Sequence, residues 1–129
     1  MVVLMTHILT RFNLLLVLTG VLAASTGASL ALARQEKAQV VEISVERFTF
    51  TPSEFKVKAG APVEIRLRSE DTDHGFRIVG TDVNVQIPKR GRGLATVTFT
   101  PPQAGRYEFE CSMLCGAGHS FMRGTIIAE

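Results

Sequence analysis

The chain contains no tryptophan, one tyrosine, two cysteines and three histidines in 129 residues. Two cysteines are too few for a scaffold stapled by disulfides in place of a core. Neither sign of charge dominates, with 14 Lys and Arg against 12 Asp and Glu, so no basic face invites nucleic acid and no such partner is expected. No internal repeat and no low-complexity tract is present. Sustained helical periodicity is missing after residue 39, which excludes a helix bundle. No serine and histidine are placed as a hydrolase would need them.

What is present begins with a leader. Residues 1–11 are weakly basic, and residues 12–33 run for 22 positions without a charge. Such a run, at about 1.5 Å of rise per residue, would cross a bilayer core of about 30 Å as a single anchoring helix. Its second half is rich in Ala, Ser, Thr and Gly, and Ala31-Leu32-Ala33 before Arg34 fits a signal-peptidase site. The leader is therefore read as a hydrophobic helix over residues 1–33 that is a cleaved signal peptide, with a single membrane anchor as the rival. Either reading exports the rest of the chain to the periplasm or the outer face of the cytoplasmic membrane. Contact with the membrane is expected only through this segment, if it is retained. Residues 34–39 read as a linker and residues 40–129 as one domain.

The domain reads as strands. Val41, Ile43 and Val45 alternate with polar neighbours, as do Val63, Ile65 and Leu67, then Phe76 and Ile78, then Val97 and Phe99, then Tyr107 and Phe109. A period of two marks half-buried strands. Thr51-Pro52, Ala59-Gly60-Ala61-Pro62, Ile87-Pro88, Arg90-Gly91-Arg92-Gly93 and the segment from Pro101 to Gly105 punctuate them. Seven or eight short strands at this spacing predict an all-β sandwich. On the strand before Cys111, Tyr107 and Phe109 face the core, and Cys111 shares their parity. Its sulfur is expected to point inward. A final strand is expected over residues 123–128. The basic cluster Lys89, Arg90, Arg92 and the acidic cluster Glu70, Asp71, Asp73 read as solvated loops, with partner docking as the lesser reading.

Between the last two strands stand Cys111, Cys115, His119 and Met122 within 12 residues. Thiolate and thioether are soft donors and imidazole is borderline, a set that suits copper and disfavours hard cations. Gly116 and Gly118 let the backbone turn tightly between Cys115 and His119. His74, in Asp73-His74-Gly75-Phe76, is the other histidine of the domain. Taken singly, each residue has a plainer role in packing, loop structure or a disulfide; the ordered combination points to a metal. Zinc accepts two cysteines and two histidines but has little need for the methionine. A mononuclear blue-copper site uses one cysteine, which leaves one too many here, whereas two thiolates can bridge two copper ions.

Cys-x-x-x-Cys-x-x-x-His-x-x-Met with an upstream His-Gly-Phe resembles the binuclear CuA domain of cytochrome c oxidase subunit II. The likeness extends to the segment from Gly105 to Cys111 and to Gly124-Thr125-Ile126-Ile127. It implies a cupredoxin-like Greek-key β-sandwich with two copper ions. Cys111 and Cys115 would bridge the ions, His74 and His119 would bind one each, and Met122 and the backbone carbonyl of Met113 would be weak ligands. It also implies one-electron transfer, with a c-type cytochrome as a redox partner and, in the oxidase setting, a haem-copper catalytic subunit.

The sequence departs from that family in three ways. Met113 stands where the typical subunit has a magnesium-binding glutamate, so no magnesium site is expected. The aromatic patch that receives cytochrome c in many members is absent or altered, because there is no tryptophan. At most one membrane helix is present instead of two. The reading preferred from sequence is a free or singly tethered electron carrier. The alternative is a reduced subunit II inside a membrane oxidase, and a lesser alternative is a periplasmic copper chaperone or storage protein.

Overall fold

The computed structural model describes residues 37–129. The leader and the first half of the linker lie outside the described residues. Nine strands follow in order: β1 (Gln39–Glu46), β2 (Thr49–Thr51), β3 (Glu54–Val57), β4 (Val63–Ser69), β5 (His74–Ile78), β6 (Asn84–Ile87), β7 (Ala95–Phe99), β8 (Gly105–Glu110) and β9 (Arg123–Ala128). A single turn of 3-10 helix, His119–Phe121, interrupts the last connection.

The strands form two sheets, ordered β2-β1-β4-β7 and β3-β9-β8-β5-β6. Two pairs, β1 with β4 and β3 with β9, are parallel, so the chain crosses between sheets rather than running up and down. Alternation places one side of each strand inside. Ile43, Val45, Ile65, Leu67 and Val97 of the first sheet meet Phe76, Ile78, Ile87, Phe109 and Ile126 of the second. The Phe50 ring bridges the layers, edge-on to Phe76 at 6.0 Å and to Phe109 at 5.2 Å. Burying each such side chain contributes about 1.5–3 kcal/mol.

The observed count exceeds the expected seven or eight strands because β2, β3 and β6 are only three or four residues long. Such runs are too short for periodicity to separate them from loop. Tyr107 is half-buried rather than in the core. It lies edge-on to Phe99 at 5.3 Å, and its hydroxyl donates to the Gln103 carbonyl. In β5 the alternation fails, since His74, Gly75 and Phe76 are all buried. The loop after β8 lies on Gly75: a Cβ there would fall 2.2 Å from Ser112 Oγ and 2.7 Å from the Met113 nitrogen.

Candidate metal centre

Two elements of the second sheet bring the donors to one end of the sandwich. His74 opens β5, and Cys111 directly follows β8, the strand paired to it. Cys111 is buried, as its parity with Phe109 predicts. The returning loop is closed at its base by the Cys111 N–H donating to the Met122 carbonyl at 3.1 Å. The turn His119–Phe121 is held by the N–H groups of His119, Phe121 and Met122 bonding to Gly116, Gly118 and His119 carbonyls. Short hydrogen-bonded closure between two core strands makes a stiff mount for side chains.

The sulfurs of Cys111 and Cys115 lie 3.8 Å apart, and both cysteines are free. A disulfide needs about 2.05 Å, so the pair is a dithiol. His74 Nδ1 stands 4.0 Å from the Cys111 sulfur, and the Met113 carbonyl oxygen stands 3.1 Å from it. His119 Nδ1 and the Met122 sulfur each stand 3.9 Å from the Cys115 sulfur. Each of the other four residues singled out in the sequence thus lies against one of the two sulfurs. His74, Cys111 and Cys115 offer donor atoms within 4.8 Å of one another. Met122 is fully buried, whereas Met113 and His119 are half-buried.

Burial and the neighbouring Cys111 push the Cys115 thiol up to about 11. A metal entering here displaces protons to reach the thiolates. His74 Nε2 lies 2.7 Å from Asp71 Oδ1. Burial opposes ionisation of Asp71. Hydrogen bonds from His74 and from the backbone N–H groups of Thr72 and Arg47 outweigh it and hold the carboxyl below its usual range. An ionised Asp71 accepts a hydrogen bond from the His74 Nε2–H and so leaves the Nδ1 lone pair facing the sulfurs.

Sequence reading placed Asp71 in a solvated acidic loop, and this is corrected: Asp71 orients a site histidine. Asp73 is also engaged, accepting the Lys89 N–H at 2.8 Å. The position of Asp71 three residues before His74 was the available signal. Arg47 gave none. It lies 68 residues from Cys115, yet its Nε donates to the Cys115 carbonyl at 2.8 Å.

Two thiols, two imidazoles, a thioether and one carbonyl form a soft to borderline donor set, which fits copper and not calcium or magnesium. Cys111 and His119 both line a cleft of about 260 Å³, together with Arg77, Glu110, Ser112, Ser120 and Arg123.

The model of the cupredoxin-like domain matches residues 14–128. Cytochrome c oxidase subunit 2 of Thermus thermophilus is 34% identical over 82 residues, which cover 64% of this chain and 59% of that subunit. The chain thus spans less than two thirds of that relative. The periplasmic domain of subunit II of cytochrome oxidase from Bradyrhizobium japonicum superposes with a TM-score of 0.64 at 19% identity, over 74% of this chain and 87% of that one. A chain of a heme-copper terminal oxidase dimer does so with a TM-score of 0.62 at 23% identity, over 97% of both. At those identities the structural likeness is one of fold. Fold, homology to subunit II and the chemistry of the donors agree on copper as the metal, and the chain belongs to the cupredoxin-like domain family.

Proposed function

We propose that the chain is an exported electron-transfer domain with a binuclear copper centre of the CuA type. Cys111 and Cys115 would be the shared thiolate ligands, with His74 and the Met113 carbonyl on the Cys111 side and His119 and Met122 on the Cys115 side. One observation carries this reading: the donors divide into two matched halves. Each sulfur has its own imidazole nitrogen, at 4.0 Å for Cys111 and 3.9 Å for Cys115, and its own further donor. A single blue-copper ion would leave one buried thiol idle, and zinc would leave Met122 idle.

Bound copper supplies the one-electron redox change. The chain supplies placement. Asp71 keeps the His74 proton on Nε2, and Gly75 lets the Ser112-Met113 backbone lie flat on β5. Phe76 and Phe109, two residues from His74 and Cys111 along the chain, are fully buried and keep that end of the core apolar. A mount that changes little between oxidation states keeps reorganisation small, which favours fast transfer. Electrons exchange through the His119 side, which is half-exposed. Leu114 and Phe121, on the same loop, are 81% and 84% exposed and offer apolar side chains to a redox partner such as a c-type cytochrome.

The second reading sets the same domain inside a membrane haem-copper oxidase as its subunit II. The identity with the Thermus thermophilus subunit and the match over 97% of a chain from an oxidase dimer favour it. Copper loading of the full chain in detergent tests the common part. Two coppers per chain, with a resonance signal split by two equivalent nuclei, are expected. One copper with a single blue band, or no copper, overturns the binuclear reading. Stable co-purification with a haem-containing membrane subunit decides for the oxidase over the free carrier.

A further inference from the structure

The turn between β1 and β2 touches both halves of the site although it supplies no donor to it. The Arg47 guanidinium donates from Nε to the Cys115 carbonyl at 2.8 Å. The backbone N–H of the same residue donates to Asp71 Oδ2 at 3.0 Å, while Asp71 Oδ1 holds His74 Nε2 at 2.7 Å. One residue thus links the loop of Cys115 to the loop of His74, two segments with no covalent connection nearer than 37 residues through Cys111. Phe48, the next residue, covers the same loop. A Cβ on Gly118 would fall 2.4 Å from Phe48 Cδ2, and one on Gly116 would fall 2.9 Å from Phe48 Cε1.

The Arg47 guanidinium has no carboxylate within ion-pair distance among the described residues. Its positive charge therefore acts on the carbonyl of Cys115. Hydrogen bonds to a charged group are stronger than neutral ones. A fixed cation beside a redox site favours the state with the extra electron.

We infer that Arg47 is a positioning residue for the copper centre, tying the Cys115 loop to the His74 loop and raising the reduction potential through its charge. This rests on the copper reading of the site, but half of it concerns the chain alone and is measurable without metal.

The test uses the full chain with Arg47→Met, Arg47→Gln and Arg47→Lys. In the metal-free Met variant, amide exchange at His119, Phe121 and Met122 is expected to quicken about tenfold, the loss of one charge-assisted bond, with Ile65 and Leu67 unchanged. With copper bound, the Met variant has a lower potential than the parent, and the difference shrinks as salt rises. Gln, a neutral donor, restores the exchange protection and leaves the potential low. Lys keeps the charge and holds the potential nearer the parent value. Unchanged exchange in the Met variant overturns the tie, and an unchanged potential overturns the charge effect. A parent chain that takes up no copper refutes the copper reading instead, and the metal-free exchange still decides the tie.

Discussion

The two halves of the metal site are built differently. The His74 half is mounted on strands: His74 belongs to β5, Cys111 follows β8 directly, and His74 is fully buried. Its orientation comes from a carboxylate, Asp71, and its floor is Gly75, onto which the loop is pressed. The His119 half belongs to the loop itself. Its histidine sits in a single 3-10 turn, half-exposed, and the outer support comes from a surface turn at Arg47 and Phe48. The contrast teaches a division of labour. Strands and burial set the geometry on one side, while the other side is held by contacts that leave it half-exposed.

The largest expected effect removes what the halves share. On the proposed binuclear reading, Cys115→Ser would remove one shared thiolate, so two-copper binding should be lost and at most a mononuclear site should remain. Retention of two coppers, measured by metal content, would break the bridging assignment.

The two glycines test the contrast directly. At Gly75 an added methyl meets the Ser112 hydroxyl and the Met113 backbone nitrogen, and backbone cannot swing aside. Gly75→Ala is expected to cost about 1–3 kcal/mol of stability and to weaken copper binding. At Gly118 the methyl meets the ring of Phe48, which is 37% exposed and can move outward. Gly118→Ala should cost less than about 1 kcal/mol. Denaturant unfolding of both variants checks the ranking, and equal losses would erase the distinction between the halves.

Asp71→Asn removes the charge that orients His74. Loss of such a supporting carboxylate weakens metal affinity by about 10–100-fold, measurable by competition with a chelator. Affinity equal to the parent's would show that strand mounting alone suffices.

The dithiol adds a pH dependence. The Cys115 thiol is raised from 9.0 to about 11 in the folded, metal-free chain. The folded state therefore holds the proton more tightly than the unfolded state. The resulting stability is complete below pH 9.0 and is lost as pH rises toward 11. Unfolding of the metal-free chain at pH 8 and again near pH 11 reads this loss. Copper affinity follows the opposite sign at lower pH, rising with pH as protons compete less for the sulfurs. The smallest effect is expected from Met122→Leu. A weak ligand of similar volume is exchanged, so copper stays bound while the reduction potential shifts. Complete loss of copper would make Met122 a strong ligand.

Much of this molecule was legible before folding was considered. The alternation through Val63, Ile65 and Leu67 and through Val97 and Phe99 marked real strands, because a half-buried strand must repeat every second residue. Parity from Phe109 to Cys111 placed a sulfur inward, as observed. The short edge strands β2, β3 and β6 were less legible, since three or four residues carry too little periodicity. Within the site, residues near each other in sequence were readable, and supports that reach it across the fold were not. Asp71 looked like part of a charged loop, and nothing about Arg47 distinguished it from any other exposed arginine.

The sequence by itself determined the strand pattern and the donor chemistry, because alternation and donor softness are properties of residue types and their order. Only tertiary structure decided which imidazole faces which sulfur, that Asp71 rather than Glu70 or Asp73 orients His74, and that Arg47 spans the two loops. Those facts depend on how parallel and antiparallel pairings bring distant segments to one end of the sandwich. A hydrogen bond across 68 residues leaves no trace in local order.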